Sequence, residues 1–305
     1  MNQAVTPQPV RPSVGLPIRQ DFRFSHRLRV RWAEVDMQKI VFNAHYLMYF
    51  DTAIGDYWRA MALPYEDTMQ HWGGDLYVKK ASVEYFASAR YDDQLDVMLK
   101  CTKIGNSSII FTGALFRADE LLVTTELIYV YANPATQTSQ PLPATLRELL
   151  LGFEAGEAMS RVKTGTWDEL GKDAAALRVA VFVEEQGIPL DMEWDEADQT
   201  SLHAVVYNRL GMPLATGRLL PSESVQGAKS CKLGRMAVNR VMRGSKLGRD
   251  VLLALMAAAK ARGDDEIVLH AQRSAENFYT RLGFTPRGDA FDEVGIAHQE
   301  MVRRL

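Results

Sequence analysis

A loop at residues 33–43 carries the first residues that could do chemistry on a bound substrate. It holds the carboxylate of Asp36 and leads directly into an apolar helical pattern. The first turn of a helix has backbone NH groups without partners inside the helix, and the helix dipole stabilises negative charge there. A carboxylate beside such a helix start indicates an active site in which negative charge develops. The alternative is that Asp36 is a turn residue that caps the helix.

A second loop, residues 240–249, has the composition of a phosphate site. Its sequence, RVMRGSKLGR, is basic and contains glycine, and it lies between a predicted strand at 230–238 and a predicted helix at 250–262. Backbone NH groups in such a loop, together with the dipole of the following helix, receive phosphate oxygens. The pattern therefore predicts a pyrophosphate cradle.

The remaining ionisable residues allow more than one interpretation. The run DMEWDEAD at 191–198 is usually solvated surface, but its five carboxylates beside a cleft would attract a cationic amine. His203 and His270 lie near predicted strand ends, where a single histidine is more often structural, so no general base is nominated. Cys101 and Cys231 have no metal-type spacing and predict buried thiols, with neither a disulfide nor a metal site.

The elements around Asp36 predict an antiparallel sheet wrapped around a long helix. From Tyr46 onward, large apolar residues recur at spacings of three and four along one helical stripe; they are Leu47, Phe50, Ile54, Tyr57, Trp58 and Met61. Strands are predicted at 24–32, 76–89, 94–104, 107–118 and 121–132, and short polar turns join the last four as hairpins. A loop is predicted at 71–74 and a closing helix at 143–153.

The second half of the chain starts a new pattern. The predicted elements are a strand at 161–166, a helix at 167–185, strands at 202–209, 214–220 and 230–238, a helix at 250–262, a strand at 266–271 and a helix at 274–282. We place a tail at 1–21, a first domain at 22–152, a junction at 153–165 and a second domain at 166–305.

Length and composition limit the classes of protein. A chain of 305 residues is long for one core and predicts two domains. The formal net charge of -3 provides no field for nucleic acid or an anionic membrane, and no apolar run approaches the roughly 20 residues that span a bilayer. The proline-rich start has no apolar core of a signal peptide, so we expect a mobile tail and a cytoplasmic location.

The first domain resembles a hotdog-fold acyl-CoA thioesterase of the 4-hydroxybenzoyl-CoA thioesterase type. The resemblance rests on VRWAEVDMQKIVFNAHYLMYFD at 30–51 and VEYFASARYDDQLDV at 83–97. It implies that Asp36 lies beside the thioester carbonyl as nucleophile or as base for water, while NH groups at the helix start polarise that carbonyl. The implied substrate and oxyanion region contains Asn43, His45 and Tyr46. Relative to related enzymes the asparagine and histidine are exchanged. A histidine in the first turn of a helix is more often a cap or a packed side chain, and Tyr46 is expected in the pocket wall or the core rather than in the chemistry.

The second domain resembles an N-acetyltransferase of the GNAT superfamily, with a mixed sheet and flanking helices. The resemblance rests on LRVAVFVEEQGIPLDMEWDEAD at 177–198, the RxxxLG-type loop, AENFYTRLGF at 275–284 and FDEVGIAHQEM at 291–301. It implies that the CoA pyrophosphate is held by the loop and the strand before it, at Met236, Val238, Arg243, Gly244, Ser245, Lys246, Leu247, Gly248 and Arg249. Lys246 stands where this loop usually has its central glycine.

The same resemblance implies a role for Tyr279, as the proton donor to the leaving CoA thiolate, although a packed aromatic residue is an equal alternative. An acetyltransferase needs a deprotonated amine to attack the acetyl thioester, with the thiolate reprotonated afterwards.

Together the resemblances predict an α+β protein of two domains whose substrates are acyl-CoA and acetyl-CoA. The first domain would hydrolyse an acyl-CoA, and the second would transfer an acetyl group to an unknown amine, without a metal. Hotdog sheets pair edge to edge, which implies a homo-oligomer. The alternative is a CoA-binding regulatory protein in which one or both sites are inactive.

Overall fold

The computed structural model describes residues 15–225, 228–293 and 295–305. The chain forms two compact units. The N-terminal unit extends to Tyr57 and continues over Gly74–Pro143, and the C-terminal unit comprises Trp58–Gly73 and Ala144–Leu305. Residues 1–14 of the predicted tail lie outside the described residues. Among the described helices, none is both long and apolar enough to cross a membrane.

The N-terminal unit is built on an antiparallel sheet that, within the described residues, has five strands in the order β1-β3-β4-β5-β2. The strands are β1 Phe24–Arg29, β2 Asp75–Tyr85, β3 Gln94–Ile104, β4 Ser108–Arg117 and β5 Glu120–Ala132. Helix α1, Asn43–Ala60, follows the loop that carries Asp36. The predicted sheet and long helix are confirmed, with strand ends within a few residues of the expected positions.

Aromatic side chains hold α1 on this sheet. Tyr57 is fully buried, and its ring makes edge contacts with Phe24 and Phe111 at centroid distances of 5.3 and 5.2 Å. Gly113 on β4 permits this approach, because a Cβ there would lie 2.8 Å from the ring of Phe50. The predicted apolar stripe is buried except for Leu47, which is 38% exposed.

Two local predictions in this part of the chain were wrong. The first strand ends at Arg29 and a 3-10 turn, Trp32–Glu34, replaces its predicted end. Residues 71 and 72, predicted as loop, end helix α2, Tyr65–Trp72. Pro64, just before α2, and Gly73, which closes it in the left-handed conformation at φ 69°, are the usual residues at the two ends of a short helix.

The C-terminal unit has a mixed sheet of nine strands among the described residues, in the order β12-β14-β11-β10-β8-β7-β6, with β13 on β14 and β9 on β10. The strands are β6 Ser160–Gly165, β7 Leu202–Asn208, β8 Pro213–Leu219, β9 Glu223–Val225, β10 Ala228–Val238, β11 Glu266–Gln272, β12 Thr285–Pro286, β13 Phe291–Glu293 and β14 Ile296–Arg304. Strands β10 and β11 are parallel, and the other described pairs are antiparallel.

The helices of this unit that follow Pro143 are α3 Ala144–Glu154, α4 Trp167–Arg178, α5 Leu190–Glu193, α6 Ala197–Thr200, α7 Leu247–Arg262 and α8 Glu276–Thr280. Helices α4, α7 and α8 were predicted here, whereas α3 was predicted to close the first domain, and α5 and α6 were not predicted. The helix predicted at 167–185 is regular only to Arg178 and continues as a π-helical segment, Val179–Glu185. Such irregular segments are frequent at functional sites.

Candidate active sites

The N-terminal unit has a groove beside the start of α1. Its volume is about 610 Å³, and it is lined by the loop from Asp36 to Asn43, by Tyr46 on α1 and by residues 85–88 after β2. The first NH groups of α1 have no partners inside the helix, so the positive end of the helix dipole lies at this groove.

Asp36 lies at the turn of the loop and lines the groove. Its Oδ1 accepts a hydrogen bond from the backbone NH of Gln38 at 2.8 Å, and its own NH donates to the carbonyl of Ile40 at 2.9 Å. Within the described part of the chain, Oδ2 has no hydrogen-bond partner. One oxygen therefore stabilises the turn while the other stays open to the groove. The turn precedes α1, which begins at Asn43, so Asp36 is a turn residue but does not cap the helix.

Glu34, two residues earlier, has a structural environment. It is 3% exposed and accepts hydrogen bonds from the Arg31 backbone at 2.8 Å and from the hydroxyl of Tyr49 at 2.7 Å. Burial raises the pKa of its carboxyl, but the hydrogen bonds from Arg31 and Tyr49 outweigh burial and hold the pKa below its usual range. The backbone carbonyl of Glu34 also accepts from the NH of Phe42, which closes the loop around Asp36.

The other predicted residues of this region lie on the first turn of α1 and have different surroundings. Tyr46 is buried, and its hydroxyl accepts from the backbone NH of Ala89 at 2.9 Å, so it forms part of the wall. The backbone carbonyl of Asn43 accepts from the hydroxyl of Tyr85. His45 lies 3.4 Å from the sulfur of Met48. His45 is not among the residues that line the groove, whereas Asn43 and Tyr46 are.

The C-terminal unit has its cavity where two neighbouring strands separate. The parallel pairing of β10 with β11 runs from Ser230 to Leu233 of β10 and ends there, although both strands continue. Strand β10 follows β8 through a bulge between Gly234 and Ala237, in which Arg235 has φ 52°. The opening belongs to a cavity of about 540 Å³ lined from both strands.

The predicted pyrophosphate loop follows β10 directly. Gly244 has φ 87°, Lys246 has φ 69°, and α7 begins at Leu247. Gly248 lies against the strand, since a Cβ there would be 3.1 Å from the side chain of Val238. The structure thus brings the loop, Val238 and the N-terminus of α7 together, and Met236 lines the cavity.

Two residues of this loop depart from a simple cradle. Lys246 adopts a left-handed backbone conformation, which costs a non-glycine residue about 1 kcal/mol or more.

Arg243 makes two hydrogen bonds of 2.6 Å to the carboxylate of Glu185, and these raise the pKa of Arg243 above its usual range. A phosphate would have to replace Glu185 at this guanidinium. Ser245 Oγ donates to the carbonyl of Met242, whereas the side chains of Lys246 and Arg249 are exposed.

Tyr279 lines the same cavity from α8. It is 8% exposed, and its ring makes edge contacts with Phe278 and Phe284. Burial raises the pKa of its hydroxyl to about 12. The hydroxyl is therefore protonated at neutral pH and is able to donate a proton, and the packed aromatic environment is the reason.

The acidic run at 191–198 is not simply a solvated surface. Glu193 and Asp198 are 2% and 3% exposed, and both bond to Arg178, whose side chain is 1% exposed. Arg178 donates to Glu193, to the carbonyl of Glu193 at 2.8 Å and to Asp198 at 2.7 Å. Its guanidinium also lies over the rings of Trp167 and Trp194. The surface interpretation was wrong for these two carboxylates because a buried arginine pairs with both.

Asp195 extends this network toward the cavity. It accepts from Arg218 at 2.9 Å and from Arg235 at 3.2 Å, and all three residues line the cavity. The hydrogen bond from Arg218 holds the pKa of Asp195 below its usual range. The carboxylates at 193, 195 and 198 thus neutralise protein cations, which leaves them little capacity to attract an amine.

The two histidines considered in the sequence, His203 and His270, lie in different environments. His203 is buried, its Nε2 lies 2.9 Å from the carbonyl of Asp198, and burial lowers its pKa, which indicates a structural residue. His270 lines the cavity next to Lys232 and Glu293. Sequence reasoning missed Lys232 and Glu293. The available signals were the position of Lys232 on the predicted strand at 230–238 and that of Glu293 in the segment FDEVGIAHQEM.

Within the described residues, no group of three or more His, Cys, Asp or Glu side chains could hold a metal ion. Cys101 and Cys231 are both buried thiols, as predicted.

Comparisons with known proteins match both halves of the chain. Residues 180–305 match the family model described as acetyltransferase (GNAT) domain, and residues 30–150 match the model described as thioesterase-like superfamily. The chain is 33% identical over 137 residues to an uncharacterized N-acetyltransferase, YjcF, of Bacillus subtilis. The match covers 45% of this chain and 94% of YjcF. It is 30% identical over 131 residues to the protein ElaA of Escherichia coli, covering 42% of this chain and 84% of ElaA.

Among solved structures, Slr0204, a 1,4-dihydroxy-2-naphthoyl-CoA thioesterase from Synechocystis, is similar to part of this chain. The sequence identity is 20%, the TM-score is 0.40, and the match covers 42% of this chain and 95% of Slr0204.

We predict that Arg178→Met strongly destabilises the C-terminal unit. The substitution leaves Glu193 and Asp198 buried without their cation, which should lower the free energy of unfolding by about 3–5 kcal/mol. Urea denaturation of the full chain, followed by fluorescence of Trp167 and Trp194 beside the guanidinium, measures the effect. Arg161→Met, at an exposed position, is the control and should leave the unfolding midpoint nearly unchanged.

Acid should reduce the difference in the free energy of unfolding between wild type and Arg178→Met. Burial raises the pKa of Asp198, but hydrogen bonds from Arg178 and Arg218 outweigh it and hold the pKa below the usual range. A carboxyl with a lowered folded-state pKa stabilises the fold fully above the unfolded value of about 3.9, and that contribution is lost as the pH falls through the folded value. If the difference in the free energy of unfolding does not change as the pH falls below about 3.9, the ion pair does not have the role assigned to it.

Proposed function

The chain belongs to the acetyltransferase (GNAT) family through residues 180–305, and its residues 30–150 match the thioesterase-like superfamily; from this we propose that it is a bifunctional enzyme of CoA thioesters. The first domain, 22–152, hydrolyses an acyl-CoA to the free acid and CoA. The second, 166–305, transfers the acetyl group of acetyl-CoA to an amine. The junction predicted at 153–165 includes β6, Ser160–Gly165, which belongs to the sheet of the C-terminal unit.

The observation that carries the hydrolase proposal is the common groove of Asp36 and the N-terminus of α1. A thioester carbonyl directed at the first NH groups of α1 would have its developing negative charge stabilised by the helix dipole. The open oxygen of Asp36 would then attack the carbonyl carbon or take a proton from water. Tyr46, whose ring is fixed by the backbone of Ala89, forms one side of the site.

The transferase proposal is supported by the separation of β10 from β11. Beyond Leu233 and Leu269 the facing edges of the two strands no longer pair with each other. Unpaired strand edges bind an extended chain that carries amide groups, and the pantetheine arm of CoA is such a chain. At one end of the opening, the loop before α7 offers backbone NH groups and a helix N-terminus to the pyrophosphate. Tyr279 lies in the same cavity as the proton donor to the CoA thiolate.

We propose further that the chain forms a homo-oligomer through β2. This strand of 11 residues is at one end of the described five-stranded sheet, with β5 on one side. Its Val78 and Tyr85 are 54% and 52% exposed, and Phe86 just beyond it is 45% exposed. A long edge strand with exposed apolar residues is a template for pairing with a second copy. Residues 85–88 also line the groove of Asp36, so a second copy on β2 would lie close to it.

Asp36→Asn should abolish hydrolysis, because an amide neither attacks a carbonyl nor accepts the proton of water. We expect kcat for thiol release from a panel of aliphatic and aromatic acyl-CoAs to fall at least about 100-fold. Asp51→Asn, an exposed substitution on α1, is the control and should retain activity. Tight CoA binding without turnover in the wild type would instead support a binding module.

Tyr279→Phe should lower kcat for acetyl transfer by about 10- to 100-fold without a matching change in the KM for acetyl-CoA, because only the proton donor is removed. The assay combines acetyl-CoA with amino acids, polyamines, arylamines and peptide N-termini. Tyr207→Phe, which removes a hydroxyl bonded to Asp173 outside the cavity, is the matched control. Stoichiometric binding of acetyl-CoA with no acetylation of any amine would count against the transferase.

Val78→Lys should convert the oligomer to a smaller species, because it places a charge on the edge that pairs. Sedimentation velocity of the full chain measures the change. Val162→Lys, on the edge strand β6 of the other sheet and 37% exposed, is the control. A wild-type chain that sediments as a monomer over the accessible concentration range would overturn the proposal.

A further inference from the structure

Three ionisable side chains meet on the cavity between β10 and β11. Lys232 Nζ lies 3.3 Å from His270 Nδ1, and the same Nδ1 lies 3.2 Å from Glu293 Oε2. The other ring nitrogen, Nε2, lies 3.8 Å from Glu300 Oε2. Lys232, His270 and Glu293 all line the cavity that contains Tyr279.

The nitrogen Nδ1 of His270 has two neighbours that need opposite protonation states. Without a proton it accepts a hydrogen bond from the Lys232 ammonium group. With a proton it donates to the Glu293 carboxylate. Transfer of one proton from Lys232 to His270 therefore exchanges one hydrogen bond for the other, and the resulting imidazolium has a carboxylate near each nitrogen. His270 Nδ1 is thus placed to accept a proton from the amine of Lys232.

Lys232 differs from the other cations of the cavity. Arg218 and Arg235 are bonded to Asp195, and an arginine stays protonated in proteins. A lysine that loses its proton is a nucleophile. Cys231, the neighbouring nucleophile on the same strand, points to the opposite face, is 2% exposed, and burial raises its pKa to about 12. Among these described residues, Lys232 is the one suited to attack an acyl group in the cavity.

We propose that Lys232 is a self-acetylation site of the transferase domain, with His270 as its proton acceptor. The inference rests on the proposed binding of acetyl-CoA in this cavity. His270 Nδ1 takes one proton from the Lys232 ammonium group, and the Nζ lone pair attacks the acetyl carbonyl carbon. As the C–S bond breaks and the amide forms, the second Nζ proton that is lost passes to solvent, and the CoA thiolate takes the proton of the Tyr279 hydroxyl. Solvent reprotonates Tyr279, and the proton on His270 passes to solvent. The products are acetyl-Lys232 and CoA.

Acetylation would change the cavity itself. It removes the positive charge of Lys232 and its hydrogen bond to His270. Three carboxylates line the cavity in the described structure, and Glu193 and Asp195 are paired with arginines. After acetylation of Lys232, Glu293 would be the one of the three that has no lysine or arginine beside it. His270 would be left free to take a proton from an incoming amine. The modified cavity would favour a cationic acceptor more than the unmodified one.

The test needs acetyl-CoA and the full chain, with no acceptor. Trypsin does not cleave after acetyl-lysine, so modification of Lys232 appears in mass spectra as an acetylated peptide of residues 230–235. Lys229, which is exposed on the same strand, and Lys260 on α7 report unassisted chemical acetylation within the same sample. We expect Lys232 to be acetylated at least about tenfold faster than either, and His270→Gln to reduce its rate to theirs. Glu293→Gln should give an intermediate rate.

The outcomes separate this inference from the transferase proposal. Binding of acetyl-CoA is measured by calorimetry on wild type and on His270→Gln, and the thermal unfolding midpoint of each variant shows that it is folded. Two results would overturn self-acetylation and leave transfer to an external amine intact. In both, acetyl-CoA binds, but Lys232 is acetylated no faster than Lys229, or it is acetylated equally fast in wild type and in His270→Gln. A wild-type chain that does not bind acetyl-CoA overturns both. Lys232→Arg, which keeps the charge, should eliminate the acetylated peptide.

Discussion

The buried guanidinium of Arg178 is the interaction on which the C-terminal unit depends. Its two carboxylate partners, Glu193 and Asp198, bracket a segment of six residues, so one side chain fixes both ends of that segment. Removing these charges from water is costly unless each is paired, and here both carboxylates bond to the guanidinium. The rings of Trp167 and Trp194 also lie over the guanidinium. Asp195, between the two, is thereby held where Arg218 and Arg235 reach it, which forms one wall of the cavity.

In the N-terminal unit a buried carboxylate has the corresponding role. Glu34 accepts hydrogen bonds from Arg31 and Tyr49, and its backbone carbonyl accepts from Phe42, at the far end of the loop. The loop between is tied at both ends and presents Asp36 at the groove. Helix α1 is placed by its contact with the sheet, which Gly113 allows to be close. The position of Asp36 relative to the helix start is therefore a consequence of packing and of one buried anion.

The two candidate sites use the same physical device for different chemistry. In each, the N-terminus of a long helix, α1 or α7, lies beside an opening bordered by strands, and its dipole faces the place where a substrate anion would lie. In the proposed hydrolase site, the anion would be the oxygen of a thioester carbonyl under attack, with Asp36 as nucleophile or as base for water. In the proposed transferase site, it would be the CoA pyrophosphate, and Tyr279 would protonate the leaving thiolate.

Local patterns in the sequence were enough to predict the class of fold and most elements. Apolar spacing identified α1 and hairpin turns identified β3 to β5, because these signals lie within a few residues of each other. The basic loop before α7 predicts a phosphate site in the same way. The same reasoning missed α2 and took the acidic run at 191–198 for surface. Composition shows where charges are in the chain but not which arginines lie opposite them.

What the sequence determined by itself is most of the elements, their order, and the presence of Asp36 and Tyr279 in motifs that resemble two CoA-dependent families. Only the tertiary structure decided that Arg178 pairs with Glu193 and Asp198, that Arg243 is bonded to Glu185, and that Lys232 meets His270 and Glu293. The reason is distance along the chain: Lys232 and His270 are 38 residues apart, and Arg243 and Glu185 are 58 apart. Contacts between such residues arise from strand pairing and helix packing, which no local pattern encodes.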